Sequence, residues 1–269
     1  MRSAIAGLFI AFAATPGLAE TSWDAIREDL YGDRVLIPAD DIFRIDAPYR
    51  AADDTRTMIG ADIQLPQGRR IAEVTVVLDE NPMPVSAIFA LKQPQERFVF
   101  QVAMRINGPT PLHLIARSTD NQLYMAEGFV KTSGTGACSA PPGTDPDLAL
   151  ASLGEMEIDF LAPGQNSDIM AQVSALVHEQ KEINLKLSHP SHSGMQMDQI
   201  SLLYIPMRYV SDLDVGVNGS EYLDITGSIS LSENPEMRLS VPGDATRVDV
   251  EMTDTDGTVA RATKSIRLY

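Results

Sequence analysis

Residues 71–104 read IAEVTVVLDENPMPVSAIFALKQPQERFVFQVAM. IAEVTVVL (71–78), SAIFAL (86–91) and RFVFQVAM (97–104) are short runs rich in β-branched, aromatic and alternating apolar side chains. DENPMP between the first two carries the Asn, Asp and Pro of a turn. Such runs, punctuated about every dozen residues, describe antiparallel strands. The texture extends forward through PLHLIARS (111–118) and QLYMAEGFV (122–130). After an interruption it resumes in EMEIDFL (155–161), EINLKLS (182–188), ISLLYIPMRYVSDLDVGVNG (200–219), YLDITGSIS (222–230), EMRLSVPG (236–243), TRVDVEMTD (246–254) and VARATKSIRLY (259–269). VNGSE and DTDGT place Gly where a hairpin needs positive φ. The expectation is an all-β chain of two antiparallel β-sandwiches. Helix is expected only in TSWDAIREDLYG, with Ser22 as the cap, Trp23, Ile26 and Leu30 on one face, and Gly32 at the end.

The interruption is KTSGTGACSAPPGTDPD (131–147), which holds Gly134, Gly136, Gly143 and three prolines and no large apolar side chain. That composition reads as a flexible linker. It also contains Cys138, the single cysteine of the chain. One cysteine forms no internal disulfide, which leaves burial, pairing with another molecule, or a working thiol. Gly, Ala, Ser, Thr and Pro neighbours cannot wall in a side chain, so the linker alone predicts an exposed Cys138. Seven residues from Lys131 give it a reach of about 23 Å. No Lys, Arg or His lies within six positions to lower its pKa, so the sequence predicts a passive thiol near pKa ~8.5 rather than an activated nucleophile.

The chain begins MRSAIAGLFIAFAATPGLAE, one positive charge before a short apolar run broken by Pro16 and Gly17, with Ala19 as a small residue for cleavage. This predicts a secretory signal peptide over 1–19; the run is too short to span about 30 Å of hydrocarbon. The expected organisation is then a β-sandwich with its N-terminal helix over 20–131, a cysteine-bearing linker over 132–151 and a second β-sandwich over 152–269. Net charge is −16, which opposes nucleic acid and anionic membranes as partners. His189 and His192 in LSHPSHSG have a spacing that invites a metal, but a metal site needs three or four ligands. They read as turn residues, and His113 as a structural strand residue. No G-x-S-x-G elbow, Walker loop or Rossmann fingerprint is present, so no metal and no cofactor is expected. The twelve methionines read as core padding.

With these pieces in order, the chain resembles the two subunits of the SoxYZ sulfur carrier fused head to tail. WDAIREDLYGD, VTVVLDENPMPVSAIFAL and a glycine-rich arm bearing cysteine are similar to SoxY. LKLSHPSHSGM, IPMRYVSDLDVGVNG, SENPEMRL and DTDGTVARAT are similar to SoxZ. The resemblance implies immunoglobulin-like sandwiches that dock on each other. It also implies Cys138 as the site of covalent sulfur attachment, with Gly134, Gly136, Ala137 and Ser139 as its mobile arm. The implied partners are periplasmic sulfur-oxidation enzymes and c-type cytochromes, or, for fused carriers of this look, a quinoprotein (PQQ) dehydrogenase. This arm reads Gly-Ala-Cys-Ser-Ala and the chain continues beyond it, whereas the family arm ends the chain as Gly-Gly-Cys-Gly-Gly. Two functions follow: a non-catalytic periplasmic carrier of sulfur intermediates, or an accessory module for a periplasmic quinoprotein dehydrogenase.

Overall fold

The structure is a computed structural model that describes residues 21–132, 134, 136–161 and 180–266. The expected signal peptide and His178 lie outside the described residues. Helix α1 (Ser22–Tyr31) belongs to a unit of its own that ends at Asp33. Its cap is Thr21, one residue before the expected Ser22. The Thr21 hydroxyl accepts from the Asp24 amide while the Asp24 carboxylate accepts from the Thr21 amide, a reciprocal capping box. Gly32, at φ 55°, ends the helix as expected.

The second unit, Arg34–Tyr269, is mostly β among the described residues, with one short helix between its halves that the sequence did not predict. Its first half contributes β1 (Leu36–Pro38), β2 (Phe43–Asp46), β3 (Thr57–Gln64), β4 (Ile71–Leu78), β5 (Val85–Gln95), β6 (Arg97–Met104), β7 (Thr110–Ser118) and β8 (Leu123–Val130). Its second half contributes β9 (Met156–Leu161), β10 (Gln180–Leu187), β11 (Val210–Val217), β12 (Ser220–Thr226), β13 (Glu236–Pro242), β14 (Arg247–Asp254) and β15 (Val259–Ser265). Strands β4 and β6 begin and end where the alternation in the sequence does. Outer strands show the period of two plainly: β14 buries Val248, Val250 and Met252 and turns Arg247, Asp249 and Glu251 toward solvent. At the β11–β12 hairpin Asn218 and Gly219 sit at φ 53° and 83°, the pair of positive angles that a two-residue turn requires. Pairing is antiparallel except at β1–β8, which is parallel.

Two layers result, ordered β1-β8-β7-β4-β5-β12-β11-β14-β15 and β2-β3-β6-β13-β10-β9. Each half is a sandwich with strands in both layers, and the halves join edge to edge. In one sheet β5 pairs with β12, setting Phe89 opposite Ile225 and Leu91 opposite Leu223. In the other β6 pairs with β13, setting Phe100 opposite Leu239 and Val102 opposite Met237. The sequence reading implied two bodies docked through an apolar face. The observed seam is backbone ladder on both layers, with one hydrophobic core running beneath it from Phe43 to Met252. Phe89 and Phe100 meet across the layers at 4.6 Å between ring centroids, with Phe98 beside them at 5.8 and 5.9 Å.

One run expected as strand is not strand. ISLLYIPMRY (200–209) looks like strand, but β11 starts only at Val210. Ile200, Leu202, Leu203 and Tyr204 are exposed, and Leu202 is at φ 57°, an angle no strand tolerates.

Because the seam aromatics belong to the core of both halves, Phe100→Ala is expected to cost about 3–5 kcal/mol and to lower a single cooperative melting transition. Calorimetry that resolves two independent transitions, only one of them shifted, would contradict the continuous core.

Candidate functional site

The segment between the halves is not a free coil. Ala137–Ser139 form one 3-10 turn, and Pro146–Ala151 form helix α2. Within the turn the Ser139 and Ala140 amides donate to the Gly136 and Ala137 carbonyls at 3.2 Å each. Cys138 is fully buried, at 0% exposure, and Ala137 at 4%, which corrects the expectation of an exposed thiol. The physical reason is that the wall comes from elsewhere in the chain. The Cys138 amide donates to Asn107 Oδ1 at 3.3 Å, and the Cys138 carbonyl accepts from the Ser193 hydroxyl. Gln196 Nε2 donates to the Ala140 carbonyl at 3.0 Å. The arm is thus gripped by the loop after β6 on one side and the loop after β10 on the other.

Two glycines make the approach possible. Gly136 is at φ 102°, and a Cβ there would stand 3.2 Å from Asn107 Oδ1; at Gly134 a Cβ would come to 2.6 Å from Asp54 Oδ2. At Gly136 the positive φ strains any side chain; at Gly134 a side chain would require the Asp54 carboxylate to move. Ser139 stays exposed and donates its hydroxyl to the Gly136 carbonyl at 3.0 Å.

Beneath the turn lies a polar seam. Asn81, 3% exposed, donates to the Arg105 carbonyl at 2.8 Å and to Ser230 Oγ at 2.9 Å, and accepts from the Asn107 amide at 2.9 Å. Arg105, at 2% exposure, donates its guanidinium to the Leu231 and Ile229 carbonyls at 2.6 and 3.3 Å. Burial holds its pKa below the ordinary guanidinium value, with Cys138 and Glu233 pulling the other way. Arg105 and Ala137 line a cleft of ≈ 200 Å³ together with Arg56, Ala140, Gln196 and Glu233. Burial pushes the Cys138 thiol up to about 11, against a smaller downward pull from Arg105. In this seat the cysteine is a protonated thiol at neutral pH, protected rather than activated.

The histidines divide as turn and strand residues. His189 is buried; its Nδ1 accepts from the Ser191 amide at 2.9 Å and its Nε2 lies 3.4 Å from Asp254 Oδ2. Burial pushes His189 down to about 4, which leaves it neutral. Arg208 donates to the same Asp254 oxygen at 2.8 Å. His192 is half-buried and also lowered by burial. His113 meets Asp79 at 2.9 Å. No group of three or more His, Cys, Asp or Glu fit for a metal occurs among the described residues.

Residues 27–138 match the family described as sulfur oxidation protein SoxY, and residues 170–265 match sulphur oxidation protein SoxZ. The chain is a SoxY–SoxZ fusion. The SoxY match ends on Cys138 itself. A search of curated proteins found no match. Among solved structures, a superoxide reductase (neelaredoxin) from Ignicoccus hospitalis is 13% identical, over 38% of this chain and 98% of its own, at TM-score 0.30. The secreted serine protease VesC from Vibrio cholerae is 9% identical, over 89% and 54%, at TM-score 0.23. Likenesses this slight carry no functional argument.

Sequence reasoning placed Cys138, Gly136, Ala137 and Ser139 in one segment, and the structure keeps them in one turn. It missed Asn81, Arg105, Asn107, Ser193 and Gln196. The SoxY half supplies the first three and the SoxZ half the last two, so only the assembled seam brings them to the cysteine.

A thiol raised by burial stabilises its seat below its free pKa and loses that contribution as pH climbs toward the raised value. The window here runs from 9.0 to about 11. The protection factor of Cys138, its labelling rate in denatured chain divided by that in native chain at the same pH, is expected to be flat below pH 9. Through the window it should fall by up to about tenfold per pH unit. A protection factor that stays flat to pH 11 would contradict burial of the thiol.

Proposed function

We propose that this SoxY–SoxZ fusion is a non-catalytic carrier that holds sulfur intermediates through a bond to Cys138 Sγ while partner enzymes act on them. The observation that carries this reading is the seat of Cys138. The chain's one thiol sits on glycine hinges, buried between the SoxY and SoxZ halves, beside a buried guanidinium whose donors go only to carbonyls among the described residues. Glu233, on the same cleft, favours the charged guanidinium without a hydrogen bond to it among the described residues. A buried cation so partly compensated is costly, and an anionic group on the cysteine would offset more of that cost. A thiol near pKa 11 is a poor nucleophile, so the arm exchanges cargo outside the seat and shelters it inside. The leader-like residues 1–19 support export, and with it a periplasmic carrier that meets its partners there.

The chemistry needs no residue beyond Cys138. With tetrathionate as the test reagent, the released thiolate attacks an inner sulfur and forms Cys138–S–S–SO₃⁻. Thiosulfate leaves with the electron pair of the broken S–S bond, and the thiol proton goes to solvent. Arg105 and Gln196 at the cleft then face the cargo.

Intact mass spectrometry of the protein isolated from its own source is expected to show adducts in sulfur units on Cys138. Tetrathionate is expected to add one S–SO₃ group to the wild type and none to Cys138→Ser. The serine variant keeps its fold, because the change loosens only the arm, at a cost of about 1–3 kcal/mol to the seated turn. A bare thiol from the native source, together with stoichiometric co-purification of a quinoprotein dehydrogenase, would replace the carrier reading with that of an accessory module.

A further inference from the structure

The loop that grips the arm continues into an exposed apolar finger that the seat of Cys138 does not use. The Ile205 amide donates to the Gln196 carbonyl at 2.8 Å and the Asp198 amide to the Leu203 carbonyl at 2.9 Å. Asp198 Oδ1 accepts from the Ile200 and Ser201 amides at 3.1 and 2.6 Å. These bonds fix the tip, where Ile200 is 95% exposed and Leu202, Leu203 and Tyr204 are each 67–68% exposed. Four adjacent large apolar side chains held in water on a backbone this well tied form a contact surface rather than a stray patch. At the root of the finger a groove of ≈ 190 Å³ is lined by Leu150, Pro190, His192, Ile205 and Met207. Gln196, at the base, is the residue that holds the arm at Ala140.

We infer that the finger and its groove are the docking surface for the protein that loads or unloads Cys138, one presenting an apolar recess with a basic rim. This rests on the carrier reading above. The base of the finger and the seat of the thiol share Ser193 and Gln196, so a body seated on the finger stands over the arm. Charge selects the occupant. At −16, the chain repels both an anionic lipid surface and a second copy of itself, and attracts a basic partner. Extent selects the lifetime. A handful of side chains falls well short of the about 1,600 Å² of a stable dimer and suits the brief encounters of about 1,200 Å² or less that a carrier serving several enzymes needs. The pre-set tip loses little freedom on contact.

The test compares the full wild-type chain with the triple variant Ile200→Ser, Leu203→Ser, Tyr204→Ser, each produced in its own source. The readout is the fraction of chain bearing a Cys138 adduct by intact mass. The triple variant is expected to lose adduct at least tenfold and Ile200→Ser alone severalfold. The melting temperature and the rate of Cys138 labelling by methyl methanethiosulfonate should stay as in the wild type, which separates lost docking from lost folding or lost arm motion. Wild-type adduct levels in the triple variant would overturn the docking surface and leave the carrier reading intact; a bare thiol in the wild type would overturn both. Flotation of wild type, but not the variant, with phosphatidylglycerol vesicles would reassign the finger to a membrane. A concentration-dependent dimer that the variant abolishes would reassign it to self-association.

Discussion

The strand pairing across the seam is the constraint on which the rest of the molecule depends. Four residues of β5 register with four of β12, and three of β6 with three of β13, so the SoxY and SoxZ halves share ladders on both layers. Edge strands are otherwise the exposed liability of a sandwich, and here each half covers an edge of the other. The pairing also fixes which loops face each other. It sets Asn81 and Arg105 against Ser230 and Leu231 and brings the loop carrying Ser193 and Gln196 over the end of β6. The seat of Cys138 is a product of that alignment rather than of the arm's own sequence.

Legibility in the sequence follows the same division. Strands such as β4 and β6 are readable because their period of two is local and their turns carry Pro and Asn. The helix is readable through Gly32, though its capping box starts at Thr21. The linker is recognisable by composition, and its cysteine by being single. Its burial is not, because every residue that encloses Cys138 lies at least thirty-one positions away, Asn107 being that far. The sequence expects a thiol near its free pKa; burial pushes it up instead, against a smaller downward pull from Arg105. Residues 200–209 fail for the opposite reason. Their hydrophobicity fits a buried strand, yet Asp198 caps a turn and Leu202 takes a left-handed angle, so the apolar side chains end in solvent.

Arg105 joins the fold to the function. Its backbone carbonyl and amide are tied into the seam, its guanidinium into the Leu231 and Ile229 carbonyls, and it still lines the cleft at Ala137. Replacing such a residue disturbs packing and charge together, so its role is better approached through the cargo than through its own removal. A neutral thiol adds nothing to the counter-charge of Glu233, whereas a sulfur adduct bearing a sulfonate would add a second anion. Loading and seating would then favour each other, and the fused chain, whose arm is tethered at both ends, would have only a short path between shelter and solvent.

The central claim is that the two halves jointly hold Cys138 in a closed but reversible seat. Thiol labelling of native protein at neutral pH, in wild type and in Ser193→Ala and Gln196→Ala, tests it most directly. Each of these bonds from the SoxZ half to the arm contributes about 0.5–1.5 kcal/mol. Each variant is therefore expected to label Cys138 about two- to tenfold faster than wild type, with an unchanged melting temperature. Wild-type protein that labels as fast as denatured chain, or variants that label no faster than wild type, would contradict a thiol seated by the SoxZ half.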